Sequence, residues 1–154
     1  MLTAEEKLEI DEAVQHVPER KAACIEALKV VQSHRRWISD EALKEVAEYM
    51  EMSPDALEAV STFYNLLFRK PVGRHVILLC DSISCWVMGY KELQQHLAQK
   101  LGITLGETTA DDRFTLLPNC CLGTCDRAPA LMIDNDLYRN VTPAQLDGIL
   151  EKYE

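Results

Sequence analysis

The first 72 residues of this 154-residue chain contain no glycine, and all six glycines lie at or after Gly73. Glycine supplies the left-handed conformations that tight turns between strands require, so its absence favours helices here. Thr3 and Glu6 match a pattern that begins a helix, and apolar residues follow at helical spacing. Four helices are therefore predicted in the first 70 residues, and Pro18 is expected to end the first. In the fourth, the residues predicted to face inward are Val60, Phe63, Tyr64 and Leu67.

Positive charge is scarce in the sequence, and no long apolar run occurs. Lysine and arginine together number 16 against 25 aspartates and glutamates, which gives a net charge of −9. No apolar run approaches the ~20 residues that cross a bilayer. We therefore expect no binding to nucleic acid and no direct insertion into a membrane. The sequence begins without an apolar signal segment, so we also expect a reducing, cytosolic environment.

Motifs for nucleotide binding and nucleophilic catalysis are also missing. The glycines form neither a G-x-G-x-x-G fingerprint nor a phosphate-binding loop. The histidines show no metal-ligand spacing and no pairing with a nucleophile; they are His16, His34, His75 and His96. We therefore expect no catalytic residues and no complete dinucleotide-oxidising site on this chain.

In the second half of the chain, short apolar runs of strand length replace the helical pattern. Strands are predicted at residues 75–80, 114–118, 130–134 and 137–139. One helix over about 85–101 separates the first two strands, and Thr142 with Pro143 begins a final helix. The order β-α-β-β-β-α predicts a right-handed parallel crossover and a hairpin, as in a small thioredoxin-like layer. We predict an α+β fold: a helical bundle over 1–70, then a thioredoxin-like α/β domain over 71–154.

Four of the six cysteines form two closely spaced pairs. Cys80 and Cys85 are separated by four residues, and Cys121 and Cys125 by three. Each pair follows a predicted strand, so loops and a helix N-terminus can bring the thiolates together and donate backbone N–H groups to sulfur. Gly123 allows the loop of the second pair to adopt a positive φ. These four cysteines are therefore the candidate ligands of a metal centre.

The spacing of the pairs leaves several kinds of site open. A structural zinc site with four cysteines and a [2Fe–2S] cluster both tolerate it. A disulfide is disfavoured by the expected reducing compartment, and a thiol oxidoreductase by the absence of C-x-x-C. Cys24, within a predicted helix, is expected to be a buried core thiol. Cys120 also stands at a C-x4-C spacing from Cys125, so spacing alone gives Cys121 only a modest preference as a ligand.

The segment around the second pair carries a longer signature. Residues 111–129 match D-x-x-F-[ST]-x5-C-[LI]-G-x-C-x-x-[GA]-P. The sequences STFY at 61–64 and RKPVGR at 69–74 agree with the same family, as does the region before Trp37. The chain therefore resembles the E-type subunit of bacterial complex I, NADH:quinone oxidoreductase, over nearly its whole length. One residue departs from that family, because Arg36 stands where glycine is frequent.

The resemblance implies a [2Fe–2S] cluster held by Cys80, Cys85, Cys121 and Cys125. It implies an electron-transfer subunit whose low-potential cluster lies beside the flavin of a partner subunit that oxidises NADH. The other implied partners are the remaining peripheral-arm subunits of complex I, on the cytoplasmic side of the inner membrane. The alternative is the equivalent diaphorase subunit of an NAD-linked hydrogenase or formate dehydrogenase, which resembles the same signature. The helical part is expected to dock to the flavin-bearing partner, or only to cover one face of the sheet.

Overall fold

The computed structural model describes residues 1–153, and these form two compact units that divide after Pro71. Within residues 1–71 the chain forms four α-helices and one 3₁₀ turn. The helices are α1 (Ala4–Val14), α2 (Cys24–Arg35), α3 (Asp40–Tyr49) and α4 (Pro54–Phe63), and the 3₁₀ turn is Arg20–Ala23. Thr3, Ser39 and Ser53 each cap a helix by accepting a backbone N–H with the side-chain hydroxyl. The predicted helices are confirmed, although α1 ends before Pro18.

The four helices bury one apolar core. Its fully buried members include Ile10, Leu28, Val31, Val46, Met50 and Leu57. The prediction that Phe63 and Tyr64 also face inward is wrong, because they are 80% and 43% exposed. Phe63 lies six residues after Leu57, and at about 100° per residue this places it about 120° around the helix from the buried Leu57. Tyr64 lies beyond the last turn of α4, where the backbone is extended.

Arg36 ends α2 in a conformation that favours glycine. Its φ is 68° and its ψ is −31°. At a positive φ a Cβ atom crowds the backbone, and glycine has none. The turn after α2 therefore accommodates an arginine with local strain, at the position where the resembled family often has glycine.

A buried ion pair joins three helices of the first unit. The side chain of Glu6 is 1% exposed, and it accepts hydrogen bonds from Arg35 Nε and Nη2 at 2.7 and 2.8 Å. The same Arg35 Nη2 donates to Glu45 at 3.0 Å. The backbone N–H of Thr3 also donates a hydrogen bond to the Glu6 carboxylate, at 2.8 Å. These donors, Arg35 foremost, hold the pKa of Glu6 at about 2. Its charge is thus buried but fully partnered.

We predict that this carboxylate makes the first unit sensitive to acid. A carboxyl group with a lowered pKa stabilises the fold above its unfolded value, here 4.5, and that contribution disappears as pH falls toward 2. The shift corresponds to about 3 kcal/mol of unfolding free energy. Glu6→Gln should therefore lower that free energy by about 3 kcal/mol at neutral pH and flatten its dependence on pH below about 5.

Urea unfolding followed by far-ultraviolet circular dichroism measures this effect at neutral and acidic pH. The matched control is Glu12→Gln, because Glu12 is an exposed residue of the same helix. Equal stability of Glu6→Gln and the control at neutral pH would contradict the role of the ion pair.

The second unit is a four-stranded mixed sheet with helices packed on it. Its strands are β1 (His75–Cys80), β2 (Phe114–Asn119), β3 (Leu131–Ile133) and β4 (Asp136–Tyr138), in the order β2-β1-β3-β4. β1 is parallel to β2, whereas β1 with β3 and β3 with β4 are antiparallel. The predicted parallel crossover and hairpin are both confirmed. Two long helices, α6 (Tyr90–Leu101) and α7 (Pro143–Leu150), share one buried core with the sheet; it includes Ile77, Leu79, Leu93, Leu97, Leu116, Leu131 and Leu146.

The single helix predicted over about 85–101 is interrupted. A short helix α5 (Ile83–Val87) precedes α6, and Gly89 between them has a φ of 120°. A residue with a side chain rarely adopts this φ, so Gly89 allows the chain to change direction. The break leaves apolar side chains of the α5 region in contact with solvent; they are Ile83, Trp86, Val87 and Met88. Among the described residues, none of the helices has the length and apolar character needed to cross a membrane.

Candidate metal centre

The parallel pairing of β1 and β2 brings the two cysteine pairs to one edge of the sheet. Cys80 is the last residue of β1 and lies opposite Asn119, the last residue of β2. Cys85 follows on α5, and both Cys80 and Cys85 are buried. Cys121 and Cys125 lie in the loop after β2, and both are exposed. The first pair therefore stands in the protein interior and the second at the surface.

The two thiols of the second pair are in contact, and those of the first pair lie close together. Cys121 Sγ and Cys125 Sγ are 3.9 Å apart. Two thiolates on one tetrahedral metal, with metal–sulfur bonds of about 2.3 Å, lie about 3.8 Å apart, so this separation suits one metal atom. Cys80 and Cys85 also lie close together, because the Cys80 thiol helps to raise the pKa of Cys85. Cys125 also lies close enough to Cys80 and Cys85 for their charges to interact, so both pairs lie at the same end of the sheet.

The electrostatics of the site oppose ionisation of the thiols. Burial, and then the adjacent Cys80 thiol, raise the pKa of Cys85 to about 11, against a lowering hydrogen bond from the Ala130 backbone. The hydrogen bond with Cys121 raises the pKa of Cys125, and the Ser84 hydroxyl opposes it. Several thiolates held this close repel each other unless a cation compensates their charge. Iron or zinc supplies that charge and binds the deprotonated sulfur, so the donor set fits a metal centre.

The arrangement of the sulfurs in two pairs can be compared with the needs of a zinc site and of a [2Fe–2S] cluster. In residues 1–153, no three side chains of His, Cys, Asp or Glu converge closely enough to hold a single metal ion. A zinc site with four cysteines needs all four sulfurs on one ion. A [2Fe–2S] cluster spreads four cysteines over two irons, two on each. Two pairs of thiols at one end of the sheet are the arrangement that a [2Fe–2S] cluster uses, with one pair on each iron.

The two remaining cysteines differ in their surroundings. Cys24 is buried in the helical core of the first unit, as predicted. Cys120 is exposed, and in the described part of the chain no other thiol is seen in contact with it. The contact between Cys121 and Cys125 therefore supports Cys121 as the ligand where sequence spacing gave only a modest preference. Sequence reasoning missed the groups that hydrogen-bond to the sulfurs, such as Ser84 and the Ala130 backbone, because only the folded chain brings them there.

Comparison with known proteins agrees with this donor set. The family described as thioredoxin-like [2Fe–2S] ferredoxin matches residues 10–154. The chain belongs to this family. As in other thioredoxin-like [2Fe–2S] ferredoxins, its cofactor is a [2Fe–2S] cluster. The fold class and cofactor implied by the sequence resemblance are therefore confirmed.

Similar sequences show which kind of thioredoxin-like ferredoxin this chain is. The E-type subunit of NADH-quinone oxidoreductase from Buchnera aphidicola subsp. Acyrthosiphon pisum is 48% identical over 99% of this chain and 94% of its own length. The protein of the same name from Escherichia coli (strain K12) is 46% identical over 99% and 92%. The chain thus belongs with these E-type subunits, which are parts of an oxidoreductase complex with other subunits.

Solved structures extend the comparison to another enzyme. The fold is similar to part of an NAD⁺-reducing [NiFe]-hydrogenase in its air-oxidised state, with a TM-score of 0.74 and 27% identity. The match covers 89% of this chain but only 24% of the hydrogenase chain. In the hydrogenase, a unit like this one is thus one segment of a much longer polypeptide.

We predict that loss of any of four sulfurs disrupts the cluster, because thiolates hold the iron. The anaerobically purified chain should contain about two irons and two acid-labile sulfides. Replacing Cys80, Cys85, Cys121 or Cys125 with serine should remove most of the iron or strongly change the visible and paramagnetic resonance spectra.

Cys24→Ser and Cys120→Ser are the matched controls, and both should keep the wild-type iron content and spectra. A Cys120→Ser chain without cluster, beside a normal Cys121→Ser chain, would reverse the ligand assignment. Stoichiometric zinc without visible absorption would contradict the cluster itself.

Proposed function

We propose that the chain is an electron-transfer subunit of a bacterial NADH:quinone oxidoreductase, with its cluster beside the flavin of a partner subunit that oxidises NADH. The observation that carries this proposal is the placement of two cysteine pairs at one end of the sheet. The chain that contains them is nearly half identical, over 99% of its length, to the E-type subunit of NADH-quinone oxidoreductase. When bound to these cysteines, a [2Fe–2S] cluster accepts and donates single electrons. We assign its ligands as Cys80, Cys85, Cys121 and Cys125.

The two cysteine pairs would hold the cluster in different surroundings. Cys80 and Cys85 lie in the apolar core of the second unit, where water is excluded and charge on sulfur is costly. Cys121 lies at the surface and receives a hydrogen bond from the Gly123 N–H at 3.3 Å. The more exposed half of the site is therefore the side by which a redox partner approaches.

Exposed apolar side chains beside the ligands support a partner at this end of the fold. Trp86 directly follows Cys85, and Val87 and Met88 come next; all three are exposed. Trp86 stacks on Tyr90 and carries the Lys91 ammonium 4.4 Å above its ring, so it is held in one place. Apolar groups that are both exposed and ordered are typical of a protein contact. We assign this α5 surface to the flavin-bearing subunit, since electron transfer requires that subunit close to the cluster.

The first unit offers a second candidate contact surface for the complex. Phe63 and Tyr64 are exposed and pack edge to face, with ring centroids 5.2 Å apart. They belong to the STFY sequence that agrees with the resembled complex I family. We propose that the helical unit contributes to docking, and that the whole chain lies on the cytoplasmic side of the inner membrane through its complex.

A diaphorase subunit of an NAD-linked hydrogenase is the second candidate function. The similarity to the NAD⁺-reducing [NiFe]-hydrogenase favours it, at 27% identity. The relatives from NADH-quinone oxidoreductase reach 46–48% identity over 99% of this chain. The similarity to NADH-quinone oxidoreductase is stronger than that to the hydrogenase, so we prefer the quinone-linked enzyme as the parent complex.

We predict that NADH reduces the cluster only when a flavin-bearing partner is present. The chain has no dinucleotide fingerprint of its own, so electrons from NADH must arrive through another subunit. Anaerobic paramagnetic resonance of the purified chain should show no reduced cluster with NADH, and a reduced cluster with dithionite. Adding the flavin-bearing subunit of the same complex should make NADH effective. Reduction by NADH without that subunit, or none in its presence, would contradict the proposal.

A second prediction concerns the α5 surface. Val87→Asp places a charge among exposed apolar side chains, which should weaken association with the flavin-bearing subunit at least tenfold, equivalent to about 1.4 kcal/mol. The iron content and spectrum of the free chain should not change, because Val87 is not buried. Gln99→Asp is the matched control, since it adds the same charge at an exposed position of α6. Equal binding by both variants, measured by titration calorimetry, would remove α5 from the interface.

A further inference from the structure

Asn119 is a buried polar residue beside the proposed cysteine ligands, and the ligand assignment gives it no role. It is 6% exposed and ends β2. Its Nδ2 donates a hydrogen bond to the carbonyl oxygen of Cys121 at 3.0 Å. A buried amide is stabilising only when its polar atoms have partners, so this side chain has a defined orientation.

The backbone of the same residue is bonded to the other cysteine loop. Asn119 pairs with Cys80 across the parallel strands, and its carbonyl accepts the N–H of Asp81 at 3.0 Å. Asn119 therefore contacts the first loop through its backbone and the second loop through its side chain. Asn119 therefore helps to fix the position of one cysteine pair relative to the other.

The bond to Cys121 restrains the exposed start of the second cysteine loop, whose other anchors are Leu122, packed on the core, and the buried Thr124. Gly123 has a φ of 71°, and nothing lies within 4 Å of where its Cβ would stand. Its N–H nevertheless points at Cys121 Sγ, at 3.3 Å. The Cys121 carbonyl fixes the orientation of the peptide that leads into Leu122 and Gly123. Holding that carbonyl in place thus helps to keep the Gly123 N–H directed at the sulfur.

We propose that Asn119 is a positioning residue for the cluster, whose side-chain amide anchors the second cysteine loop and thereby maintains the Gly123 N–H hydrogen bond to Cys121 sulfur. This proposal rests on the ligand assignment of Cys121. Hydrogen bonds to a ligating sulfur stabilise negative charge, and the reduced cluster carries one more negative charge than the oxidised cluster. Loss of the anchor therefore makes the midpoint potential more negative and changes the symmetry at one iron.

The test uses the full chain, purified anaerobically with its cluster. Asn119→Leu removes the donor at similar volume, and Asn119→Ser leaves a small polar group too short to reach the Cys121 carbonyl. Both variants should show a shift of the midpoint potential to more negative values in a redox titration. Both should also show altered g-values in the paramagnetic resonance spectrum, with about two irons per chain retained. Loss of iron from a folded Asn119→Ser chain supports the same anchor.

Thr115→Val is the matched control on the same strand. Thr115 is buried, and its hydroxyl accepts the Gly73 N–H at 2.7 Å, at the far end of β2 from the cysteines. This variant should lower the unfolding midpoint but leave the potential and the g-values unchanged. Wild-type potential and g-values in Asn119→Ser would overturn the proposal, as would an equal shift in Thr115→Val. If Asn119→Leu does not fold, Asn119→Ser decides. The proposed function has a separate test: a Cys121→Ser chain that keeps its full iron content would contradict the ligand assignment.

Discussion

The parallel pairing of β1 with β2 is the constraint on which the site depends. Parallel strands end at the same edge of a sheet, so the loops after Cys80 and Asn119 begin side by side. An antiparallel pair would send those loops to opposite ends. A slip of one residue in the pairing would also turn Cys80 to the other face of the sheet. The crossover helix α6 and the apolar core beneath it fix this register, and therefore the core of the second unit positions the sulfurs.

Charge explains why the fold and the cofactor belong together. The fold brings the thiols close together in pairs. Burial and the adjacent Cys80 thiol raise the pKa of Cys85, and the hydrogen bond with Cys121 raises that of Cys125. The protein alone thus favours neutral thiols, and the iron supplies the positive charge that makes four thiolates compatible.

Sequence periodicity was sufficient for the elements that bury one continuous face. The helices up to residue 63, the runs at 75–80 and 114–119 and the capped helix α7 are all where the apolar spacing predicts them. The errors arise where one residue overrides the spacing. Gly89, with a φ of 120°, divides a predicted helix in two, and α4 ends before Tyr64, which leaves that side chain exposed. The cysteine spacing identified the candidate ligands, but the Asn119 and Gly123 contacts require the tertiary approach of two loops, which no local pattern encodes.

The two halves of the site are held by different means, and this difference bears on the partner. Cys80 and Cys85 are fixed by the sheet and core, whereas Cys121 depends on the Asn119 amide and the Gly123 N–H at the surface. Hydrogen bonds to sulfur strengthen when water is excluded, because the local dielectric falls. The proposed partner on the α5 surface would lie near this half of the site, because the Ser84 hydroxyl of α5 reaches Cys125. If the proposed docking excludes water from this side of the site, it would stabilise the reduced cluster as well as place it near its electron donor, so association and electron affinity would be coupled.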